Sequence, residues 1–265
     1  MTTPTEHKIK LKIVNLLFSV NGTKVLDNVS LDIYDNEILA VAGSDDAGRT
    51  GLLNCISGFS KPQSGDIYFE GKKITGIRPD KAVQLGLART FQNIELFSDL
   101  TVLDNLMAAR HVLIDQNFLT GALYFGPAHG EELDHRRAVE DIIEFLELQP
   151  IRHSIVGTLP DYQRKKVELG RSLATEPSVL LLDGLMAGGI PQEKVDTAQI
   201  ITGIFKGQGD TYPRTPVLRD GVQCIVLFAH NLDDILSIAD RVIVLDSGKI
   251  IAQGTPAEVK ANTRR

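Results

Sequence analysis

The segment GSDDAGRT, Gly43 to Thr50, constrains the fold more than any other stretch of this chain. The apolar run Ile38-Leu39-Ala40-Val41-Ala42 precedes it, and Leu52, Leu53 and Ile56 follow at helical spacing. Apolar strand, glycine-framed loop and helix in that order is the setting of a phosphate-binding loop of pattern GxxxxGK[ST]. Gly43, Gly48 and Thr50 stand where that pattern wants them, with Ser44, Asp45, Asp46 and Ala47 between the glycines. The lysine position, however, holds Arg49. Asp45 and Asp46 also put two carboxylates where such a loop presents backbone N–H groups to an anion. The frame is that of a phosphate cradle, and the chemistry inside it opposes a phosphate.

Around this loop the order of segments predicts an α/β domain. Residues 9 to 42 read as short strands broken by turns at Asn21-Gly22 and Asp35-Asn36, and Gly65 to Ile77 repeats that style. Helical periodicity follows: Leu103, Leu106 and Met107 lie behind Thr101, a plausible N-cap with Asp104 three residues on. Val139, Ile142, Ile143 and Leu146 form a second apolar stripe. Three continuous apolar runs, Val179 to Leu182, Ile225 to Phe228 and Val242 to Leu245, read as fully buried parallel strands. The stretch Lys206 to Val222, rich in Gly, Pro and charge, reads as an insertion.

With 265 residues, 43% of them apolar, the chain can bury a full core. Its formal charge of -6 gives no electrostatic reason to expect nucleic-acid binding. No run approaches 18 apolar residues, so direct membrane insertion is not expected. Cys55 and Cys224 lie in apolar surroundings and read as buried, reduced thiols of a cytoplasmic protein. His111, His129, His135 and His153 show no metal-ligand spacing, and Arg164-Lys165-Lys166 reads as a solvated helix face.

Longer segments carry a resemblance. RTFQNIELFSDLTVLDNLMAA (Arg89 to Ala109), FLTGALYFGPAHGEELDHRRA (Phe118 to Ala138), VELGRSLATEPSVLLLD (Val167 to Asp183) and ADRVIVLDSGKIIAQGTPAEV (Ala239 to Val259) resemble, in order, the ATP-binding subunits of ABC transporters. The likeness is closest to the branched-chain amino-acid importer type and spans essentially the whole chain. It implies a single P-loop NTPase-like ABC nucleotide-binding domain over residues 1–265, with an antiparallel β lobe and a helical lobe at about 95–175. It also implies ATP and Mg²⁺ as cofactors, a second ABC ATPase subunit (homo- or heterodimer) and transporter membrane subunits as partners. The expected location is cytoplasmic, peripheral to the inner face of the cell membrane.

Four positions match the family's chemistry. Thr50 would give a hydroxyl to Mg²⁺, Asp183 would hold the ion through its waters, and Gln92 would sense the metal beside the contact with the membrane subunits. His230 would contact the γ-phosphate. Other positions depart from the pattern. Arg49 offers a planar fork where a compact ammonium slips between phosphates. Asp46 replaces a family glycine, and a carboxylate about 4 Å from a phosphate charge costs roughly 4 kcal/mol at an effective dielectric of about 20. Gly184 stands where the family has the glutamate that polarises the attacking water, a change that typically removes about 10²- to 10⁴-fold in rate. The signature LSGGQ is LPDYQ here, Leu159-Pro160-Asp161-Tyr162-Gln163, and Pro160 removes both a hydroxyl and an N–H. Leu185 to Ile190 lacks the polar dimer-contact loop, Ala229 and Asn231 replace the acids flanking His230, and Val20 replaces the aromatic that would stack on adenine.

Two functions therefore stand side by side. One is an ATPase subunit that drives amino-acid import; the other is a non-hydrolysing relative, natural or engineered, that keeps the scaffold and docks on a partner.

Overall fold

The computed structural model describes residues 8–43, 46–113, 127–206 and 222–262. The strands are β1 (Ile9–Val20), β2 (Thr23–Tyr34), β3 (Glu37–Ala42), β4 (Ser64–Phe69), β5 (Lys72–Lys73), β6 (Leu87–Arg89), β7 (Val179–Asp183), β8 (Cys224–Ala229), β9 (Arg241–Asp246) and β10 (Lys249–Gly254). The helices are α1 (Asp46–Ile56), α2 (Pro79–Gln84), α3 (Val102–Arg110), α4 (Pro127–Phe145), α5 (Asp161–Leu173), α6 (Pro191–Lys206) and α7 (Pro256–Asn262).

Two sheets form. One is antiparallel, in the order β2-β1-β4-β5; the other runs β10-β9-β3-β8-β7-β6, with β9, β3, β8, β7 and β6 parallel and β10 antiparallel at the edge. The turns at Asn21-Gly22 and Asp35-Asn36 fall where expected, but β1 and β2 are 12 residues each rather than short. Register shifts along β1, between Ile13 and Leu16 and again near Phe18, let one long strand bend where its alternation of apolar residues lapses.

The three apolar runs are the centre of the second sheet, and their alternation assigns each face. Leu39, Val41, Leu181, Val226 and Ile243 pack with α1 and the antiparallel sheet. Ile38, Ala40, Leu180, Ile225 and Val242 pack beneath the helical segment. Burial on both faces is what makes these strands continuously apolar in sequence.

The helical segment is held by α3, α4 and α5, whose Leu106, Val139, Ile142, Ile143 and Val167 are fully buried. Thr101 caps α3 as expected, its hydroxyl oxygen accepting from the Asp104 backbone N–H at 3.1 Å, an interaction worth about 1 kcal/mol. The reading of Arg164-Lys165-Lys166 as a solvated face is corrected: the Lys165 and Lys166 side chains are only 19% and 13% exposed. Lys165 donates from Nζ to the Ala187 carbonyl, and the Lys166 ammonium lies 5.5 Å from the Tyr162 ring centre. Long cationic side chains bury their stems while keeping a polar partner at the tip. Cys55 and Cys224 are buried free thiols. Burial pushes the Cys55 thiol up to about 12 and that of Cys224 higher still. His135 is buried too, its Nδ1 accepting from Arg110 at 2.9 Å. Most of the Lys206–Val222 insertion, residues 207–221, lies outside the described residues.

Candidate functional site

Topology assembles the site from residues far apart in sequence. β3, β8 and β7 are parallel neighbours, and Ala42 pairs with Ala229 while Asp183 pairs with Phe228. Gly43, His230 and Gly184 therefore leave the carboxyl ends of three adjacent strands, the edge where open α/β sheets place their ligands. Gly43 has φ +154, and a Cβ there would come within 1.9 Å of the Leu245 carbonyl oxygen. Only glycine allows the loop to start this close to β9.

Ser44 and Asp45 lie outside the described residues; α1 starts at Asp46 and carries Ala47, Gly48, Arg49 and Thr50 in its first turns. Thr50 is exposed, whereas Arg49 is only 4% exposed. The Arg49 guanidinium places Nη2 2.8 Å from Nδ1 of His230. A guanidinium only donates, so His230 Nδ1 is the acceptor in this pair. Arginine at position 49 thus spans from the loop helix to the histidine on the neighbouring strand end.

The third strand end brings Asp183, Gly184 and Gln92 together. Thr90 clamps this corner: its Oγ1 accepts from the Asp183 N–H at 2.9 Å and donates to the Asp183 carbonyl at 3.3 Å. Gly184 has φ +66, and a Cβ on it would lie 3.3 Å from both Cα and Cγ of Gln92. Beside them, Arg89 donates to Asn54 Oδ1 at 2.8 Å and to Ser57 Oγ at 3.0 Å. Its guanidinium also lies 5.0 Å from the Phe59 ring centre and 4.3 Å from that of Phe91. Burial lowers the Arg89 guanidinium from its ordinary range, against the pull of Asp183 and Glu168. A cavity of about 340 Å³ opens next to this stack, lined by Phe59, Val83, Arg89, Phe91, Phe97 and Arg171 among others.

The segment LPDYQ lies at the start of α5. Leu159, Tyr162 and Gln163 are half-buried, Pro160 is the exposed N-cap with no side-chain capping bond, and Asp161 is the first helical residue. Asp161 is paired with Arg164 at 3.1 Å and Lys165 at 3.6 Å on its own helix. Burial raises the Tyr162 phenol above its ordinary range. Pro160, Asp161 and Tyr162 line a cavity of about 190 Å³ together with Leu185 to Gly189. Val20, at the end of β1, is 47% exposed.

The model of the family described as "ABC transporter" matches residues 26–187. The chain belongs to the ABC transporter family. Among curated proteins, this ABC chain is similar to the high-affinity branched-chain amino acid transport ATP-binding protein BraF of Pseudomonas aeruginosa, 30% identical over 95% of this chain and 94% of BraF. It is similar to LivG of Escherichia coli K12, of the same description, at 29% identity over the same shares. Among solved structures, a nucleotide-free ATP-binding cassette from an ABC transporter superposes with TM-score 0.77 at 26% identity, covering 97% of this chain and 96% of that one. The ADP conformation of another such cassette gives TM-score 0.77 at 28% identity, over 95% and 93% of the two chains. The fold is that of an ABC nucleotide-binding domain.

Of the residues singled out in the sequence, the ABC fold brings Gly43, Gly48, Arg49, His230, Asp183, Gly184 and Gln92 to one sheet edge, and sets Leu159 to Gln163 apart at the head of α5. Sequence reading missed the Arg49–His230 contact, the Arg89 stack and Glu168. Glu168 is 2% exposed and accepts from the Phe91 N–H at 2.8 Å. Its signal was present: an acid between Val167 and Leu169 and four residues before Ser172, all of which are buried.

Among the described residues no group of three or more His, Cys, Asp or Glu could hold a metal ion on its own. Magnesium bound with a nucleotide draws most of its ligands from phosphate and water; the candidate donors that the resemblance names are Thr50, Asp183 and Gln92.

Proposed function

We propose that this chain is a nucleotide-binding-type subunit of a branched-chain amino-acid importer that no longer hydrolyses ATP. Similarity to BraF and LivG along nearly the full chain supports the importer role. The whole of residues 1–265 acts as one ABC-type domain, with residues of about 95–175 as its helical lobe.

The observation that carries the loss of hydrolysis is Gly184. Where a catalytic carboxylate is needed there is no side chain, and the space its Cβ would take is bordered at 3.3 Å by Gln92. Other features point the same way. If Mg-ATP bound, Thr50, Asp183 and Gln92 would hold the ion, and the loop of Gly43 to Thr50 with His230 would face the phosphates. Yet Arg49 already bonds His230, so a terminal phosphate reaching that histidine has to displace a buried guanidinium. Asp46, the first residue of α1, adds negative charge at the helix N-terminus that would otherwise favour the anion. The residues present do not fit a bound triphosphate without rearrangement.

The losses combine through the dimer. If each nucleotide lies between one chain's P-loop and the other's signature, a partner with normal motifs would meet Arg49 in one site and Pro160-Asp161 in the other. In this reading the chain serves as the structural half of a pair. It docks on the membrane subunits beside Gln92, where Phe59, Phe91 and Phe97 give the 340 Å³ cavity an apolar wall, and it sits on the cytoplasmic face of the membrane.

Steady-state phosphate release at millimolar Mg-ATP, compared with a Thr50→Ala variant, tests the proposal. Equal rates support it, and release well above the variant overturns it. A calorimetric titration with Mg-ATP separates binding from hydrolysis: a micromolar Kd would restore the ATPase reading, and no heat at millimolar nucleotide supports a scaffold role.

A further inference from the structure

Helix α5 grips the Gln92 segment at three points. Ser172 Oγ donates to the Arg89 carbonyl at 2.9 Å. The Phe91 N–H donates to Glu168 Oε1 at 2.8 Å. The Arg171 guanidinium donates to the Glu95 carbonyl. Three bonds spaced along residues 89 to 95 fasten the strand end and the loop after it to the helix that begins with the altered signature. The middle bond differs from the others because its acceptor is a carboxyl 2% exposed to solvent.

We propose that Glu168 is the positioning residue that fixes the Gln92 segment against α5, and that its grip loosens when the carboxyl takes up a proton. This holds for the free chain and does not depend on whether nucleotide binds. Charge-assisted bonds to a carboxylate are about twice as strong as neutral ones. The ionised carboxylate is supported by the backbone N–H groups of Phe91 and Glu95 and by the Arg171 guanidinium. The charged groups that face Glu168 are Arg171 on its own helix, Glu95 on the segment and Arg89 on β6. Burial opposes ionisation most strongly and raises the carboxyl from its ordinary 4.5 to about 7, while Glu95 adds repulsion. The switch between weak and strong acceptor therefore falls close to neutral pH. Among folded states that keep Glu168 buried, ionisation and docking favour one another, because the segment supplies donors that stabilise the charge and the charge strengthens the bonds that hold the segment; the cost of burying the charge falls on folding as a whole.

Amide hydrogen exchange in the full chain tests this, read at Phe91 to Leu96 between pH 6 and 8 after correction for intrinsic rates. The expected result is a protection factor at Phe91 about fivefold higher at pH 8 than at pH 6, a ratio consistent with replacing a neutral acceptor by a charged one. In Glu168→Gln, whose amide oxygen still accepts, protection should be low and flat across this range. A flat profile in the unaltered chain, or an unchanged profile in Glu168→Gln, overturns the proposal. Should the variant not fold, a ¹³C titration of the Glu168 carboxyl in the unaltered chain decides it. A midpoint coinciding with the exchange transition supports the assignment, and separate midpoints overturn it.

Discussion

Restoring an acid at position 184 is the sharpest test of the proposed loss of hydrolysis. Residue 184 has φ +66, and a non-glycine residue in that region costs about 1–2 kcal/mol. A Cβ would also press Gln92 at 3.3 Å. Gln92 is exposed and can shift, so this contact adds little. Gly184→Ala and Gly184→Glu should therefore each lose about 1–2 kcal/mol, which for a chain of this size lowers Tm by about 2–8 °C. In a site otherwise competent, a general base is worth about 10²- to 10⁴-fold in rate. Here the Arg49–His230 contact and Pro160 remain, so Gly184→Glu should leave phosphate release within about twofold of the unaltered chain, far from the gain a working base gives. Thermal unfolding by circular dichroism and a coupled phosphate assay measure both quantities. A hundredfold rise in release would show that the missing base was the sole defect. An unchanged Tm in Gly184→Ala would refute the backbone argument separately.

Other perturbations have equally definite outcomes. Gly43→Ala drives a methyl to within 1.9 Å of the Leu245 carbonyl oxygen; a loss of about 3 kcal/mol or more is expected in urea unfolding, and a loss under about 1 kcal/mol would contradict the close approach. Cys55 and Cys224 are buried with thiols raised to about 12 or beyond. Ellman's reagent should thus find neither in the native chain and both in denaturant; fast native labelling would contradict their burial. The folded Glu168 carboxyl keeps its proton to about 7 while an unfolded one releases it near 4.5. The unfolded state then binds fewer protons between those values, and stability falls as pH rises through them. Glu168→Gln should match the unaltered chain near pH 4.5 and exceed it by about 3 kcal/mol at pH 8. A pH-independent difference between the two in urea titrations would refute it.

What could be read from the sequence follows the range of the forces involved. The buried parallel strands were legible because their neighbours cover both faces, which leaves an unbroken apolar run in β7, β8 and β9. The Thr101 cap was legible because its hydrogen bond closes within three residues. The lengths of β1 and β2 were not, because bulges interrupt the alternation that marks a strand while the pairing with β2 and β4 carries the strand onward. Arg164 to Lys166 misled for a related reason: charge alone says surface, but Tyr162 and the turn at Ala187 lie close enough to cover the lysine stems. The burial of Glu168 was marked by its apolar neighbours, but its partner, the Phe91 N–H, was not, because that pairing depends on which loop passes over α5.

The site residues themselves were legible as a list, whereas their mutual contacts required the sheet order. Only the pairing of β3 with β8 puts Arg49 within reach of a histidine 181 positions away, and only the path from β6 past β7 brings Gln92 against Gly184. These contacts tie each departure to a residue that matches the family pattern, Arg49 to His230 and Gly184 to Gln92. A longer, forked cation at 49 bonds His230, and a missing side chain at 184 lies beside a glutamine. Replacing one residue leaves its neighbour where it is. Arg49→Lys and Gly184→Glu each leave the other departures in place and should fail singly, and any recovered nucleotide affinity or turnover should come from combinations that also rebuild Pro160 and Asp161. Full recovery from Arg49→Lys alone would mean that the P-loop, and not the assembled edge, was the seat of the loss.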